Sequence, residues 1–277
     1  MLEVNGKVIA ITGAGSGIGL ALTKLCLHHG ARVAASDRNM SSLTALGVEY
    51  PDVLHCATVD VSDSQAVTQW AKDVVAHFGQ CDVLVNNAGV SLSSNIQTMK
   101  RADLAWLMDI NFWGVVNGVE AFLPHLIERP AACVVNISSL FGLMAVPSQS
   151  AYNAAKFAVR GYSESMRQDL RDTNVKVVTV HPGGVKTNIV RNGKHFDSLD
   201  GSATNTEETA AMFARVASTT PERAAEIILK GIKKGKPRVL IGRDAIFLDI
   251  LQRLLPGVYD RITVPASVKG RRRLASQ

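Results

Sequence analysis

A strand-like run that leads into a glycine-rich turn constrains the fold of this chain more than any other feature. Residues 8–12 read VIAIT, residues 13–19 read GAGSGIG, and a helical apolar pattern begins at Leu20. Glycines at a strand-to-helix turn permit a tight bend and a close approach of the backbone to a ligand. The following helix can then present its N–H groups to a pyrophosphate. The order of strand, loop and helix therefore predicts a dinucleotide-binding site.

An acidic residue follows this loop at a distance that suits recognition of an adenosine ribose. Asp37 ends the apolar run 32–37 and stands 18 positions after Gly19. A carboxylate there can accept hydrogen bonds from the ribose hydroxyls and repels a 2′-phosphate, which favours NAD over NADP. Arg38 keeps NADP open as the second candidate, because a guanidinium can accommodate that phosphate. A solvated Asp-Arg turn is the alternative interpretation, and it accounts for Arg38 better than for Asp37.

Strand-like and helical patterns alternate along the chain and predict its fold class. The strand-like runs are residues 8–12, 32–37, 53–60, 83–86, 133–138, 175–180 and 238–241. Seven strands with intervening helices predict an α/β fold, a parallel sheet that helices cover on both faces. The right-handed crossover rule then leaves a doubly wound Rossmann-type arrangement. Ligands of such sheets bind at the carboxyl ends of the strands, so the polar residues that follow the strands should share one crevice.

The length and composition fit one domain. At 277 residues and 47% hydrophobic, the chain can bury a single large core. We expect residues 1–245 to form this dinucleotide-binding and catalytic domain and residues 246–277 to form a C-terminal extension.

A tyrosine and a lysine that stand four residues apart suggest acid–base chemistry. Tyr152 and Lys156 share one face if their segment is helical, and Ser139 precedes the tyrosine by 13 residues at the end of an apolar run. A fixed ammonium beside a phenol favours the phenolate and lowers the pKa of the tyrosine. The pair alone could equally be an ordinary packing contact on a helix surface.

Together, these segments resemble the short-chain dehydrogenase/reductase family. Residues 12–19 are similar to its cofactor loop, the NNAG of residues 86–89 to its signature after the fourth strand, and residues 182–187 to the loop whose threonine holds the nicotinamide carboxamide. The catalytic positions of the family are matched by Asn111, Ser139, Tyr152 and Lys156. The resemblance runs in register from about residue 6 to residue 194.

The resemblance implies an oxidoreductase that interconverts a secondary alcohol and its ketone by hydride transfer. Tyr152 is then the acid and base, and Ser139 binds the substrate oxygen. Lys156 holds the nicotinamide ribose, and Asn111 keeps its helix open for a proton-relay water. The implied cofactor contacts are Gly13, Ser16, Gly17, Ile18, Gly19, Asp37, Arg38, Asp60, Val61, Asn87, Ala88, Gly89, Tyr152, Lys156, Pro182, Gly183, Val185 and Thr187. Asp60 could as well be an N-cap or a turn former, and residues 86–89 could be a plain turn.

The substrate side is less constrained by the sequence. Residues 187–220 form a polar, glycine-containing stretch with a helix predicted over residues 207–217, which suggests a lid over the crevice. Apolar residues in that helix, and Leu140, Phe141, Leu143, Met144 and Val146 in the loop before Tyr152, favour a medium to bulky hydrophobic alcohol or ketone. Packing in the core is the alternative role for these side chains.

The C-terminal extension combines apolar and basic residues. Its apolar residues Phe247, Leu251, Leu254, Leu255 and Val258 recur at helical spacing, and residues 269–273 read KGRRR. Such a segment could rest on an anionic membrane surface. We favour a helix beside the substrate pocket or a subunit partner, with a solvated basic tail. The resemblance also implies a homodimer or homotetramer, formed by the helices before Pro124 and after Tyr152.

Several further expectations limit the function. No apolar run approaches the roughly 20 residues that cross a membrane, and no signal-peptide core precedes the first strand, so we expect a cytoplasmic protein. Cys26, Cys56, Cys81 and Cys133 lack metal-ligand spacing and are expected to be reduced thiols, without a metal site. No motif supports nucleic-acid binding. Of the seven histidines, we expect only His181 near the crevice, in a structural role.

A second functional class is compatible with the same fold. The chain could be a catalytically silent NAD(P)-binding scaffold or a redox sensor. The intact set of Asn111, Ser139, Tyr152 and Lys156 favours the enzyme, because a non-catalytic descendant need not keep all four.

Overall fold

A computed structural model describes residues 2–198 and 202–261 of the chain. Its strands are β1 (Val8–Thr12), β2 (Arg32–Asp37), β3 (Leu54–Thr58), β4 (Val83–Asn86), β5 (Leu92–Ser93), β6 (Ala132–Ile137), β7 (Val175–Pro182), β8 (Lys194–His195) and β9 (Arg238–Ile241). Its α-helices are α1 (Gly17–His28), α2 (Ser41–Glu49), α3 (Ser64–Phe78), α4 (Arg101–Met108), α5 (Gly114–Ile127), α6 (Ser150–Asp169), α7 (Thr206–Val216), α8 (Pro221–Lys234) and α9 (Arg243–Leu254). A π-helical turn, Asp109–Trp113, precedes α5, and a 3₁₀ turn, Leu140–Gly142, follows β6.

The large sheet confirms the predicted doubly wound arrangement. Its seven strands are all parallel and lie in the order β3-β2-β1-β4-β6-β7-β9. The chain order reverses between β1 and β4, which is the position where sheets of this type form a ligand crevice. Every residue of β1, β4 and β6 is buried, because helices cover both faces of the sheet.

Alternating side chains of the strands divide the core between the two faces. Ile11 points to the face where α1 and α8 pack and joins a cluster with Ile228. Ala10, its neighbour, points to the opposite face and joins a cluster with Trp70 and Phe122, whose ring centroids are 5.0 Å apart. The two-residue period of a strand therefore gives each face its own apolar core.

The third strand is shorter than its apolar pattern predicts. The run was expected to extend over residues 53–60, but pairing with β2 ends where Asp37 meets Thr58. The Asp60 carboxylate then accepts hydrogen bonds from the Ser62 N–H (3.0 Å) and hydroxyl (2.7 Å), which turns the chain away from the sheet. The prediction that the strand continues to Asp60 is therefore wrong, and Asp60 instead forms a turn in the following loop. Of the other predicted strands, β1, β2, β4 and β9 have their predicted bounds, whereas β6 is shifted by one residue and β7 extends two residues further.

The segment after β7 is held by a second, smaller sheet. β8 pairs in parallel with β5, which joins residues far apart in sequence through two short strands. Helix α7 follows at Thr206–Val216, one residue earlier than predicted, and α9 begins at Arg243 and ends before Pro256. None of the helices in the described ranges is long and apolar enough to span a bilayer. The basic tail, residues 269–273, lies outside the described residues.

The four cysteines are free thiols. Cys26, Cys81 and Cys133 are buried, and burial raises the pKa of each thiol to about 12, whereas Cys56 is only partly buried. Within residues 2–198 and 202–261, no group of three or more His, Cys, Asp or Glu side chains could hold a metal ion. Unreactive, reduced thiols are consistent with this burial.

Candidate active site

A cavity of about 1150 Å³ opens at the carboxyl ends of β1, β2, β4, β6 and β7. All the residues predicted as catalytic or cofactor-binding line this cavity, except Gly19 and Asn111. These two lie directly behind the lining residues, as their contacts show below. The fold therefore brings together side chains from seven separate segments, as expected for the switch point of a doubly wound sheet.

The glycine-rich loop packs against the segment after β4 at backbone contact. Gly13 has a φ of +63°, and a Cβ on it would lie 2.7 Å from the Ala88 Cα. A Cβ on Gly19 would lie 2.1 Å from the Gly13 carbonyl oxygen. The Thr12 hydroxyl accepts hydrogen bonds from the Asn87 and Ala88 N–H groups at 3.0 and 3.1 Å. These contacts leave no room for side chains and fix the floor of the cavity.

The N-terminus of α1 faces the cavity without a side-chain cap. Ser16 precedes the helix in an extended conformation, its side chain makes no capping hydrogen bond, and the first turn carries no acidic residue. Ser16, Gly17 and Ile18 all line the cavity. The first-turn N–H groups and the positive end of the helix dipole are thus directed to an anionic group. The wall fits the pyrophosphate of a dinucleotide.

Asp37 lies beside this loop at the end of β2. Its two oxygens accept hydrogen bonds from the Gly15 N–H (2.8 Å) and the Asn39 N–H (2.9 Å). Each carboxylate oxygen has a further lone pair, so both can still accept from ribose hydroxyls. The Arg38 guanidinium lies 3.4 Å from Asp60 in an ion pair that is largely exposed. Arg38 and Asp60 therefore form one charged pair at the same end of the cavity.

Tyr152 and Lys156 face the cavity from the first two turns of α6. Both side chains are buried, and the Lys156 Nζ lies 5.7 Å from the centre of the Tyr152 ring. The ammonium donates a hydrogen bond to the Ile137 carbonyl oxygen at 3.0 Å, which ties it to the end of β6. The four-residue spacing thus puts both groups on one helical face, as predicted.

Burial changes the acidities of these two groups in opposite directions. It raises the pKa of the Tyr152 phenol to about 12, an effect that a hydrogen bond with the Ser139 side chain partly offsets. It lowers the pKa of the Lys156 ammonium to about 8. The prediction that Lys156 lowers the pKa of the tyrosine is therefore wrong for this structure. Desolvation of the phenolate is the largest cause of this shift, and the hydrogen bond with Ser139 is the effect that opposes it.

Two adjacent serines after β6 have different contacts. The Ser138 hydroxyl donates to the Lys156 carbonyl oxygen at 2.8 Å and so fixes α6 to the sheet. The Ser139 hydroxyl accepts from the Phe141 N–H at 3.1 Å and faces Tyr152. His181 donates through Nδ1 to the Ser139 carbonyl oxygen at 3.1 Å, the structural role that was expected of it. Ser139 is thus held in place from both sides.

Asn111 lies in the π-helical turn before α5 and is fully buried. Its side chain accepts from the Val90 N–H and donates to the Val90 carbonyl oxygen, both at 2.8 Å. A Cβ on Gly89 would lie 3.2 Å from the Asn111 oxygen and 3.5 Å from the Lys156 Nζ. The backbone of Gly89 therefore lies between Asn111 and Lys156. The π-helical turn that contains Asn111 occurs where the sequence predicted an opened helix.

His195 is a cavity residue that the sequence did not indicate. The expectation that only His181 lies near the crevice is wrong, because His195 on β8 is buried in the cavity wall. Its Nε2 lies 3.1 Å from the Val190 carbonyl oxygen, which can only accept, so Nε2 carries the proton. Its Nδ1 accepts from the Ser93 hydroxyl at 3.0 Å. Burial lowers the pKa of the imidazole, which keeps it neutral.

Asp244 is the second residue that the sequence did not indicate. From the first turn of α9 it accepts a hydrogen bond from the Gly184 N–H at 2.7 Å. A Cβ on Gly183 or on Gly242 would lie 2.2 Å from a carboxylate oxygen. The carboxylate thus fits a space that glycines leave open, and it joins α9 to residues 182–187. An acidic residue in a first helical turn usually interacts with its own helix, so this contact left no sequence signal.

Part of the cavity wall is apolar. Side chains from the loop after β6, from α7 and from α9 contribute to it: Leu140, Phe141, Met144, Met212, Phe213 and Leu251. Leu143, which the sequence placed in the same group, is buried and does not line the cavity, so its role is core packing.

Comparison with known proteins adds an independent observation. Residues 7–197 match the family model described as short chain dehydrogenase. The chain is 42% identical over 280 residues to SadH of Mycobacterium tuberculosis, covering 97% of this chain and 98% of that protein. It is 32% identical over 231 residues to the 3-oxoacyl-[acyl-carrier-protein] reductase FabG of Thermotoga maritima, covering 82% of this chain and 91% of that protein. A Burkholderia phymatum short chain dehydrogenase/reductase, solved in complex with NAD, superposes with a TM-score of 0.85 at 25% identity over 94% and 97% of the two chains.

Proposed function

The chain belongs to the short-chain dehydrogenase/reductase family, and from this premise we propose that it is an NAD(P)-dependent oxidoreductase that interconverts a secondary alcohol and its ketone. One observation carries the proposal. Ser139, Tyr152 and Lys156 meet in the same cavity as an uncapped helix N-terminus and a glycine floor. An acid–base group and a dinucleotide cradle in one space are what hydride transfer to or from a carbonyl requires.

The chain's residues would hold the cofactor along the length of the cavity. The N-terminus of α1 binds the pyrophosphate, Asp37 the adenosine ribose, and residues 182–187 the nicotinamide end. When bound, the nicotinamide accepts a hydride from an alcohol carbon or donates one to a carbonyl carbon. The FabG relative is named for the reduction of a 3-oxo group, which supports the same reaction class here.

Tyr152 supplies the proton in reduction and removes it in oxidation. With a pKa near 12, the phenol is fully protonated at neutral pH and is ready to donate to a developing alkoxide. Ser139 donates a hydrogen bond to the same substrate oxygen. In oxidation, the phenolate must form transiently, and the ammonium of Lys156 stabilises it in the dry site.

Lys156 connects this chemistry to solvent. A pKa near 8 lets its Nζ release and recover a proton close to physiological pH. Gly89 and Asn111 lie directly behind it, at the wide π-helical turn, so a water there can pass the proton outward. We therefore assign Lys156 as the link of the relay between Tyr152 and solvent.

We propose that Asp37 determines the preference for NAD over NADP. Replacing it with asparagine keeps an acceptor for the Gly15 N–H but removes the charge that repels a 2′-phosphate. We expect the ratio of kcat/KM for NAD to that for NADP to fall about tenfold or more, which corresponds to about 1.4 kcal/mol. Initial rates with both cofactors at one substrate concentration measure this ratio. An unchanged ratio would remove the argument that the chain prefers NAD.

The contact between Asp244 and Gly184 is expected to position the nicotinamide loop. Asp244→Ala removes a charged acceptor, and such hydrogen bonds contribute about 1.5–3 kcal/mol. We expect KM for the cofactor to rise about tenfold, with a smaller change in kcat. Asp244→Asn, which retains an acceptor oxygen for the Gly184 N–H, should stay near the parent value. Equal effects of the two substitutions would show that the charge, and not the tie to Gly184, matters.

The substrate is proposed to be a medium to bulky hydrophobic alcohol or ketone. Support comes from the apolar wall, to which both the loop before Tyr152 and residues 187–220 contribute. We propose that residues 187–220 act as the substrate-side cover, since Ile189, Val190, Met212 and Phe213 reach the cavity from this segment. Its attachment through β8 and His195 holds the first part of the cover in place.

We also propose that the protein forms a homo-oligomer and that it is located in the cytoplasm. Trp113 in the π-helical turn before α5, Ile127 at the end of α5 and Phe157 on α6 are exposed by 51, 46 and 39%. Apolar side chains on these helices support a homodimer or homotetramer built through them. The free thiols support a reducing compartment.

The proposal is tested by absorbance at 340 nm with NAD, NADP and their reduced forms. Secondary alcohols and ketones from short aliphatic to cyclic, aryl and steroid form the substrate panel. We expect turnover with one preferred cofactor and a rate that increases with the apolar size of the substrate. Cofactor binding measured by calorimetry without turnover on any substrate would reject the enzyme and favour the binding scaffold or redox sensor.

A further inference from the structure

An apolar stripe covers the solvent side of α9. Phe247, Ile250 and Leu254 are exposed by 64, 51 and 74%, and their spacing of three and four residues places them on one helical face. Leu255 and Val258 continue the stripe beyond the helix with exposed fractions of 40 and 36%. Single exposed apolar side chains are ordinary, but a contiguous row of five marks a contact surface.

The stripe is continuous with the substrate end of the cavity. Phe247 belongs to both, because it lines the cavity while most of its side chain is exposed. Leu251, one turn further along α9, also lines the cavity. Val216, at the end of α7, also lines the cavity and is 59% exposed. An apolar molecule that moves from the stripe into the cavity therefore stays in contact with apolar side chains throughout.

The charge that follows the stripe is predominantly positive. From residue 259 to residue 277 the sequence contains five Lys or Arg residues and one acidic residue, Asp260, and the whole chain has a formal net charge of +6. Basic residues beside an apolar helical face attract an anionic lipid surface, at roughly 1 kcal/mol for each residue close to it. Two copies of the chain packed stripe to stripe would instead bring two proteins of the same net positive charge together. The charge thus favours an anionic surface over a second copy.

We propose that the α9 stripe docks on an anionic phospholipid surface and that a lipid-dissolved substrate enters the cavity between Phe247 and Val216. The docking is peripheral, as expected of an apolar helical face with adjacent cations. The inner face of α9, including Ala245 and Leu248, packs beside the pocket as the sequence favoured, so both faces of this helix are used. The entry of substrate rests on the proposed oxidoreductase function, whereas the docking does not.

The test compares matched double variants of the full chain. Ile250→Ser with Leu254→Ser removes the centre of the stripe, and neither residue lines the cavity. Val48→Ser with Ile96→Ser removes two apolar side chains of similar exposure, 80 and 74%, on other parts of the surface. Co-sedimentation is measured with phosphatidylcholine vesicles, with and without phosphatidylglycerol, and at low and high salt. Molecular mass in solution is measured for each protein.

We expect the parent and the Val48/Ile96 variant to bind the vesicles that contain phosphatidylglycerol, and high salt to weaken this binding. Binding of the Ile250/Leu254 variant should be about tenfold weaker or more, because it lacks two exposed aliphatic side chains that docking would bury in the lipid. Equal binding of parent and Ile250/Leu254 variant overturns the proposal. A lack of vesicle binding by the parent also overturns the proposal. If the Ile250/Leu254 variant then has a lower molecular mass in solution than the parent, a second copy of the chain covers the stripe. If the two masses are equal, the remaining candidate is the chain's own segment of residues 262–277.

Turnover separates this inference from the proposed function. A short, water-soluble alcohol should be converted at the same rate by the parent and by both double variants, since no cavity residue has been changed. With a bulky ketone dissolved in the anionic vesicles, only the Ile250/Leu254 variant should be slower. Vesicle binding without turnover of any substrate by any of the proteins would reject the oxidoreductase and leave the docking surface intact.

Discussion

Replacing Tyr152 with phenylalanine is expected to lower kcat by about 10²–10⁴, the usual contribution of a positioned general acid or base. The ring remains and keeps its edge contact with Phe141, whose centroid lies 6.2 Å away, so the wall of the cavity is preserved. Only the hydroxyl that exchanges the proton is lost. Steady-state rates in both directions, with carbonyl reduction and alcohol oxidation followed separately, measure the effect.

Two controls make this result specific. Tyr162→Phe removes a phenol from the same helix, where the ring packs edge-on against Phe112 away from the cavity, and should leave kcat unchanged. Binding of the reduced cofactor by Tyr152→Phe, followed by fluorescence, should stay within about a factor of three of the parent. If Tyr152→Phe retained near-parental rates, another group would have to carry the proton, and the assignment of this tyrosine would be wrong.

The fold could be predicted because each strand and helix has a recognisable pattern within its own short stretch of sequence. Parallel strands that are buried on both faces appear in sequence as short runs of β-branched residues, and the helices between them show their own period. The end of a strand depends instead on its partner. β3 ends at Thr58 because pairing with β2 ends there, and the apolar pattern continues to Val61 without any sign of this limit. Positions that depend on such pairing could not be read from the run itself.

The site residues fall into the same two groups. Residues that follow strand ends, such as Asp37 and Ser139, could be placed in one crevice from topology alone. His195 reaches the cavity only through the pairing of two two-residue strands, which no periodicity signals. Asp244 does so only because Gly183, which is distant in sequence, and the nearby Gly242 leave space for its carboxylate. Both contacts are properties of the packed structure.

Acidity was the least predictable property of the site. The spacing of Tyr152 and Lys156 correctly indicated one helical face, but it carried no information about how deeply that face is buried. Burial raises the pKa of the phenol to about 12 and lowers that of the ammonium to about 8. The two groups therefore divide the task. In the proposed mechanism, the tyrosine is the protonated donor to substrate and the lysine is the group that exchanges protons near neutral pH.

Lys156→Met is expected to lower kcat by at least about 100-fold, because it removes both the proton link and the charge that stabilises the phenolate. Carbonyl reduction by the parent should decline as the pH rises through about 8, where the ammonium is lost. The variant should lack this limb of the pH profile. Lys24→Met, on the exposed side of α1, should keep the parental rate and profile. A limb near pH 8 that persisted in Lys156→Met would have to be assigned to another group.

The same substitution should alter the dependence of stability on pH. The unfolded chain binds the proton of this lysine up to its ordinary pKa of 10.5, while the folded chain releases it near 8. Between these two pH values, the unfolded state therefore binds more protons than the folded state. The contribution of Lys156 to the free energy of unfolding consequently rises with pH across this window, and it is smallest below pH 8. The rise amounts to roughly 3 kcal/mol. Buried thiols oppose it above pH 9, but they act equally in parent and variant and cancel in the difference. Denaturant unfolding at several pH values should show that the free energy of unfolding of the parent increases relative to that of Lys156→Met between pH 8 and 10.5. If the two free energies had the same pH dependence, this lysine would not be desolvated.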